Sequence, residues 1–221
     1  MLDELSAGWA PGATDLERAL FLAMLGRSDE AWPLAEAAAE HLREVTGYAD
    51  EGLAQLAGTA MVEGDRQRAC AYHAELIDAF PPGSDGVAVS YWLLLARDLC
   101  HLGRLDEAEP LLRRSRAVPP GPLERVLGPC VEALLLAADG ELEQAETLAR
   151  GGIEVAEAET QNLWLQAWGY EDLASVLERA GRIEEARAAL EQAVELAERK
   201  RCLPYADRMR GQLESLERVE G

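Results

Sequence analysis

Apolar residues recur along this chain at three- and four-residue spacing, in long stretches broken by single glycines or by proline pairs. Tyr91, Trp92, Leu95, Ala96 and Leu99 fall on one face of a helix at that spacing. Gly103 ends it, as a residue that takes positive φ after the last turn at no steric cost. A second helix starts near Leu105 and carries Ala108, Leu111, Leu112 and Ser115 on one face, and Pro119-Pro120 closes it. Two helices, a glycine turn and a terminal proline make a helical hairpin. The same plan returns with Tyr170, Leu173, Ala174 and Leu177 before Gly181, then Ala186, Leu190, Ala193 and Leu196 after it. It predicts a hairpin over 50–80, stopped by Pro81-Pro82, and another from Pro122. A first hairpin starts near Thr14, where Thr14-Asp15-Leu16-Glu17 has the form of a capping box. Gly151-Gly152 lies inside a predicted helix and implies close approach to a neighbour rather than a hinge.

The hairpins share one signature, a glycine followed five residues later by alanine. The pairs are Gly26 and Ala31, Gly64 and Ala69, Gly103 and Ala108, Gly140 and Ala145, and Gly181 and Ala186. Successive glycines stand about 37 to 41 residues apart, a period that marks a helical solenoid. The alanine has a physical reason: two antiparallel helices joined by a tight turn need a small side chain where their backbones come closest. Residues 1–13 form a leader, 14–200 five repeats, and 201–221 a capping helix and tail. In the last helix Ala206, Met209, Leu213 and Leu216 share a face able to cover the open end of the final repeat.

The pattern Trp92-x-x-Leu95-Ala96-x-x-Leu99, then Gly103, Ala108, Leu112 and Pro120, resembles the tetratricopeptide repeat, as does the run from Tyr170 to Ala193. The units are longer than that repeat's usual length of about 34 residues, and in this they look like the tetratricopeptide regions of large bacterial regulators. The resemblance implies an all-α, right-handed solenoid of five hairpins plus the capping helix. It implies that the first helix of each hairpin lines a concave groove that binds a protein or peptide, and it implies no catalysis. On that geometry the groove is lined by Gln55, Gly58, Met61 and Val62 in the second repeat. The third offers Leu93, Leu94, Arg97, Cys100 and His101, and the fourth Leu127, Cys130, Val131 and Leu134. The fifth offers Trp168, Glu171, Asp172, Ser175 and Arg179, with Trp164 just before them. Met61, Leu94, Arg97, His101, Leu134, Trp168 and Arg179 are the candidate partner contacts. Only Arg97 and Arg179 are basic, which disfavours capture of a peptide's terminal carboxylate by a cluster of cations. The middle of the groove is apolar, as in a helix-binding or self-association site; the alternative is a superhelix tight enough for these residues to pack on one another.

Composition narrows the partner. With 41 acidic and 21 basic residues the formal charge is −20, which repels phosphate backbones and anionic lipid surfaces. Nucleic-acid and membrane partners are therefore not expected, and no apolar run approaches the roughly 20 residues that span a bilayer. The N-terminus begins Met1-Leu2-Asp3-Glu4, acidic and without an apolar core, so it does not look like a secretion signal. Cys70, Cys100, Cys130 and Cys202 form no C-x-x-C pair and fit buried free thiols in a reducing cytoplasm.

Catalytic chemistry finds no footing. His41, His73 and His101 show no metal-ligand spacing. Cys100 and His101 are adjacent on a helix and point about 100° apart, so they do not form a nucleophile and base. No glycine-rich phosphate loop is present, and Glu141, Glu143, Glu184 and Glu185 sit in first turns where they complement the helix dipole. The expectation is a cytoplasmic, non-enzymatic interaction scaffold without cofactor or metal, with a homodimer possible. The alternative is a regulatory or oligomerisation segment of a larger bacterial signalling or transcription regulator.

Overall fold

The computed structural model describes residues 13–47 and 49–219, and these are all-helical, with turns between eleven helices. They are α1 (Ala13–Met24), α2 (Ser28–Thr46), α3 (Asp50–Glu63), α4 (Arg66–Ala79), α5 (Asp85–His101), α6 (Leu105–Ser115), α7 (Pro122–Asp139), α8 (Leu142–Glu159), α9 (Leu163–Arg179), α10 (Ile183–Lys200) and α11 (Leu203–Val219). The chain divides into two compact units, Met1–Pro81 and Pro82–Gly221. Pro81-Pro82-Gly83, with Gly83 at φ 91°, separates them.

The glycine turns are built alike. Gly26, Gly64, Gly103, Gly140 and Gly181 have φ of 74°, 81°, 74°, 87° and 70°. In each turn the residue after the glycine donates its N–H to a carbonyl five residues back: Arg27 to Leu22, Asp65 to Ala60, Arg104 to Leu99, Glu141 to Leu136 and Arg182 to Leu177, at 2.9–3.0 Å. This is the Schellman closure, which satisfies carbonyls that the helix end leaves orphaned. The alanines that follow, Ala31, Ala69, Ala108, Ala145 and Ala186, are all 0% exposed. A larger side chain at any of them has no room.

Within the first unit α1 packs on α2, α3 on α4, and α3 also on α1 and α2. Leu16, Ala19, Ala35, Ala38, Leu42 and Leu56 form its core. In the second unit α5 pairs with α6, α7 with α8, and α9 with α10; the first helices α5, α7 and α9 also pack on one another in order. The last helix, α11, lies on α10, with Ala206 and Met209 fully buried.

Three local expectations change, and a fourth is not tested. The predicted leader over 1–13 falls, apart from its last residue, outside the described residues. Thr14 stands inside the first turn of α1, which begins at Ala13, so it does not cap the helix. Helix α6 stops at Ser115, whose hydroxyl donates to the Leu112 carbonyl at 2.8 Å, four residues before the proline pair. The glycine pair divides its labour: a Cβ on Gly152 would stand 2.8 Å from Cys130 Sγ and 3.2 Å from the Val126 carbonyl, whereas one on Gly151 would meet nothing within 4 Å. Close approach of α8 to α7 therefore explains Gly152 and not Gly151.

Candidate functional site

Two neighbouring features of the second unit gather the side chains singled out above: a buried charged cluster and an open cleft. The cluster begins with Arg97 on α5, which lies in an apolar run from Leu93 to Cys100 and is 1% exposed. Its Nε donates to Asp172 Oδ2 at 2.9 Å, and its Nη2 reaches Asp172 Oδ1 at 2.8 Å and Glu171 Oε2 at 2.7 Å. The Trp168 carbonyl accepts from the same nitrogen at 3.4 Å, and the guanidinium carbon stands 5.4 Å from the Trp168 ring centroid. Burial disfavours the Arg97 charge, but the Asp172 and Glu171 carboxylates together hold its pKa well above the ordinary value. The fork of guanidinium donors suits two adjacent carboxylates, which a point-charge ammonium would not.

Other elements complete the cluster. His101, one turn after Arg97, donates Nε2–H to Asp172 Oδ1 at 2.7 Å. From α11, Tyr205 places its hydroxyl 2.9 Å from Glu171 Oε2 and 3.2 Å from the Ala167 carbonyl. Burial, reinforced by the Glu171 charge, pushes the Tyr205 phenol well above its usual range, so it is neutral and able to donate. Arg208 adds a longer contact to Glu171 Oε1 at 3.4 Å and stacks 4.5 Å above the Tyr205 ring. Trp164 meets Trp168 and Tyr205 at 5.9 and 5.6 Å between centroids. Two arginines thus face two carboxylates, and Arg208 keeps Nε and Nη1 buried without a hydrogen-bond partner among the described residues.

The cleft opens beside it, a space of about 430 Å³ lined by Cys100 and His101 of α5, Leu134 of α7, and Ser175, Glu178 and Arg179 of α9. Those three helices are the first members of successive pairs. On α9 the spacings of three and four residues place Ser175, Glu178 and Arg179 on one face. The Ser175 hydroxyl donates to the Glu171 carbonyl at 3.1 Å, which leaves its oxygen as an acceptor. Cys100 is an inert wall: burial, reinforced by the Asp172 charge, pushes its thiol up to about 12.

Of the seven candidate contacts, His101, Leu134 and Arg179 come together in the cleft, while Arg97 and Trp168 belong to the buried cluster. Arg97 corrects an expectation: it does not offer its charge to a partner, because Glu171 and Asp172 already hold it in the interior. Leu94 is half-buried on α5 and lines neither feature, and Met61 is half-buried on α3 in the first unit. Tyr205 and Arg208 were not anticipated. The available signal was Glu171-Asp172, a carboxylate pair inside the apolar run from Leu165 to Leu177, which calls for buried cations. Among the described residues no group of His, Cys, Asp and Glu is placed to hold a metal ion, and no helix is long and apolar enough to cross a membrane. No protein-family model matches the chain, and no curated protein matches its sequence.

Proposed function

We propose that this chain is a non-enzymatic interaction module, a tetratricopeptide-like right-handed solenoid of five hairpins capped by α11, that holds a protein or peptide segment in the cytoplasm. One observation carries the reading. Five of the six residues lining the cleft, Cys100, His101, Leu134, Ser175 and Arg179, are positions that the tetratricopeptide resemblance, anchored on the turn glycines, assigns to the groove. A cleft of this size, with an apolar wall and a few polar groups on three helices, has the make-up of a ligand site. The chemistry around it favours binding over catalysis: the strongest acids and bases nearby neutralise each other in the interior, and the neighbouring thiol is held protonated. Replacing half-buried Ser175 with Tyr fills the cleft without touching the cluster's ion pairs. It abolishes co-purification of the native partner, whereas Glu154→Ala on α8 retains it. Retention by both variants would place binding elsewhere.

A second reading, a regulatory or oligomerisation segment of a larger protein, draws on Phe21 and Leu25. Phe21 on α1 and Leu25 in the turn that follows it, four residues on, are 60% and 46% exposed. Such an apolar pair suits a docking surface for a further element. Light scattering on the chain and on Phe21→Ser/Leu25→Ser separates the readings: a dimer lost in the variant supports the second.

A further inference from the structure

The charges in the cleft are not disposed like those elsewhere on the chain. The exposed arginines of the second unit mostly sit in short-range ion pairs, such as Arg104 with Glu107, Arg113 with Glu109, Arg114 with Asp85 and Arg150 with Glu146. Glu178 and Arg179 make no ion pair or side-chain hydrogen bond among the described residues, although both line the same space. As sequence neighbours on a helix they diverge by about 100° and do not neutralise one another. Arg179 shares the lining of the cleft with Cys100 of α5. Ser175, one turn before Glu178 and Arg179 on α9, offers only its oxygen lone pairs to the cleft. Leu134 and Cys100 supply apolar surface, and His101 links the cleft to the buried cluster through Asp172. In a chain of formal charge −20 the cleft thus carries one guanidinium and one carboxylate outside any ion pair among the described residues, with the Ser175 oxygen as a further acceptor.

We propose that the cleft binds a ligand carrying both signs of charge: a carboxylate held by Arg179, a cationic amine held by Glu178 and the Ser175 oxygen, and an apolar group against Leu134. The assignment rests on the cleft being the binding face proposed above, and it specifies what that face recognises. Two sources supply this chemistry, a small zwitterion of the amino-acid or short-peptide type and a mixed-charge stretch of a protein chain.

Backbone amide shifts at residues 100–101, 134 and 175–179 report occupancy in a titration with four dipeptides. Leucyl-leucine carries both charges, N-acetyl-leucyl-leucine only the carboxylate, leucyl-leucinamide only the amine, and N-acetyl-leucyl-leucinamide neither. Each partly exposed ion pair is expected to change affinity about two- to fivefold, so leucyl-leucine binds tightest and the neutral probe weakest. Arg179→Gln erases the advantage of leucyl-leucine over leucyl-leucinamide, and Glu178→Gln erases its advantage over the N-acetyl form. Both side chains are exposed, so neither variant threatens the fold. A blocked acetyl-Lys-Leu-Glu-amide, compared with leucyl-leucine, tells a chain segment from a free small molecule. Equal affinity for all four dipeptides would overturn the charge assignment and leave the binding face standing. Absence of cleft shifts with every probe would overturn it too; the Ser175→Tyr co-purification result then decides whether the binding face falls with it.

Discussion

Arg97→Met removes the one cation that both buried carboxylates of the cluster share. Methionine matches the stem of arginine and keeps the apolar contacts of α5, so the loss is electrostatic. Asp172 loses two contacts of 2.8 and 2.9 Å and keeps His101; Glu171 loses one of 2.7 Å and keeps Tyr205 and the 3.4 Å contact to Arg208. Two carboxylates remain buried without the cation they shared. Breaking a buried pair in this way costs about 3–5 kcal/mol, a large part of the 5–15 kcal/mol that typically holds a domain. With a urea slope of about 2 kcal/mol/M the midpoint falls by roughly 1.5–2.5 M. Fluorescence is the assay, since Trp164 and Trp168 lie against the cluster. The triple variant Arg97→Met/Glu171→Gln/Asp172→Asn buries no unpaired charge and recovers most of the loss. A midpoint shift equivalent to less than about 1 kcal/mol for the single variant, or a triple variant no better than the single, would refute the reasoning.

Further predictions concern packing and the thiols. Gly152→Ala drives a methyl against Cys130 Sγ and the Val126 carbonyl and costs about 1–3 kcal/mol, while Gly151→Ala points to open space and gains up to about 1 kcal/mol; urea midpoints of the two variants move in opposite directions. The Cys100 and Cys202 thiols are pushed by burial from an ordinary 9.0 to about 12 and about 11. Because the unfolded thiols ionise first, the stability they contribute is complete below about pH 9 and is lost as the pH rises through 11 to 12. Urea midpoints between pH 8 and 11 measure that decline. At pH 8 a thiol-reactive dye labels the native protein far more slowly than the denatured chain, and equal rates would contradict the burial of these residues.

What could be read from the sequence and what could not differ in range. The turn glycines and their alanines were legible because each obeys a local rule: positive φ at the helix end, and no room for a side chain five residues on. Helix boundaries followed from the same signals, except where a proline pair overstated the end of α6 and a capping-box pattern at Thr14 misplaced the start of α1. The cluster was legible only as a list. Arg97 and Asp172 stand 75 residues apart, and the spacing that places both on first helices does not say whether that face is open or closed. It is both: toward α11 the first helices close on a buried charge network, and at the C-terminal turns of α5 and α9 they part around Leu134. The identity of Tyr205 as the hydroxyl on Glu171 depends on how α11 lies on α10, which no periodicity within α11 encodes. The division between Pro81 and Pro82 was likewise hidden, since a glycine period continues through it unchanged.

The central claim is that the first-helix cleft, not the outer helices, engages the partner. A photo-crosslinking side chain placed at Ser175 or Arg179, and for comparison at the exposed Glu154 of α8 or Glu195 of α10, tests it in cells that make the protein. The account predicts adducts from 175 and 179 and none from 154 and 195. Adducts confined to 154 and 195, or equal yields from all four positions, would contradict it.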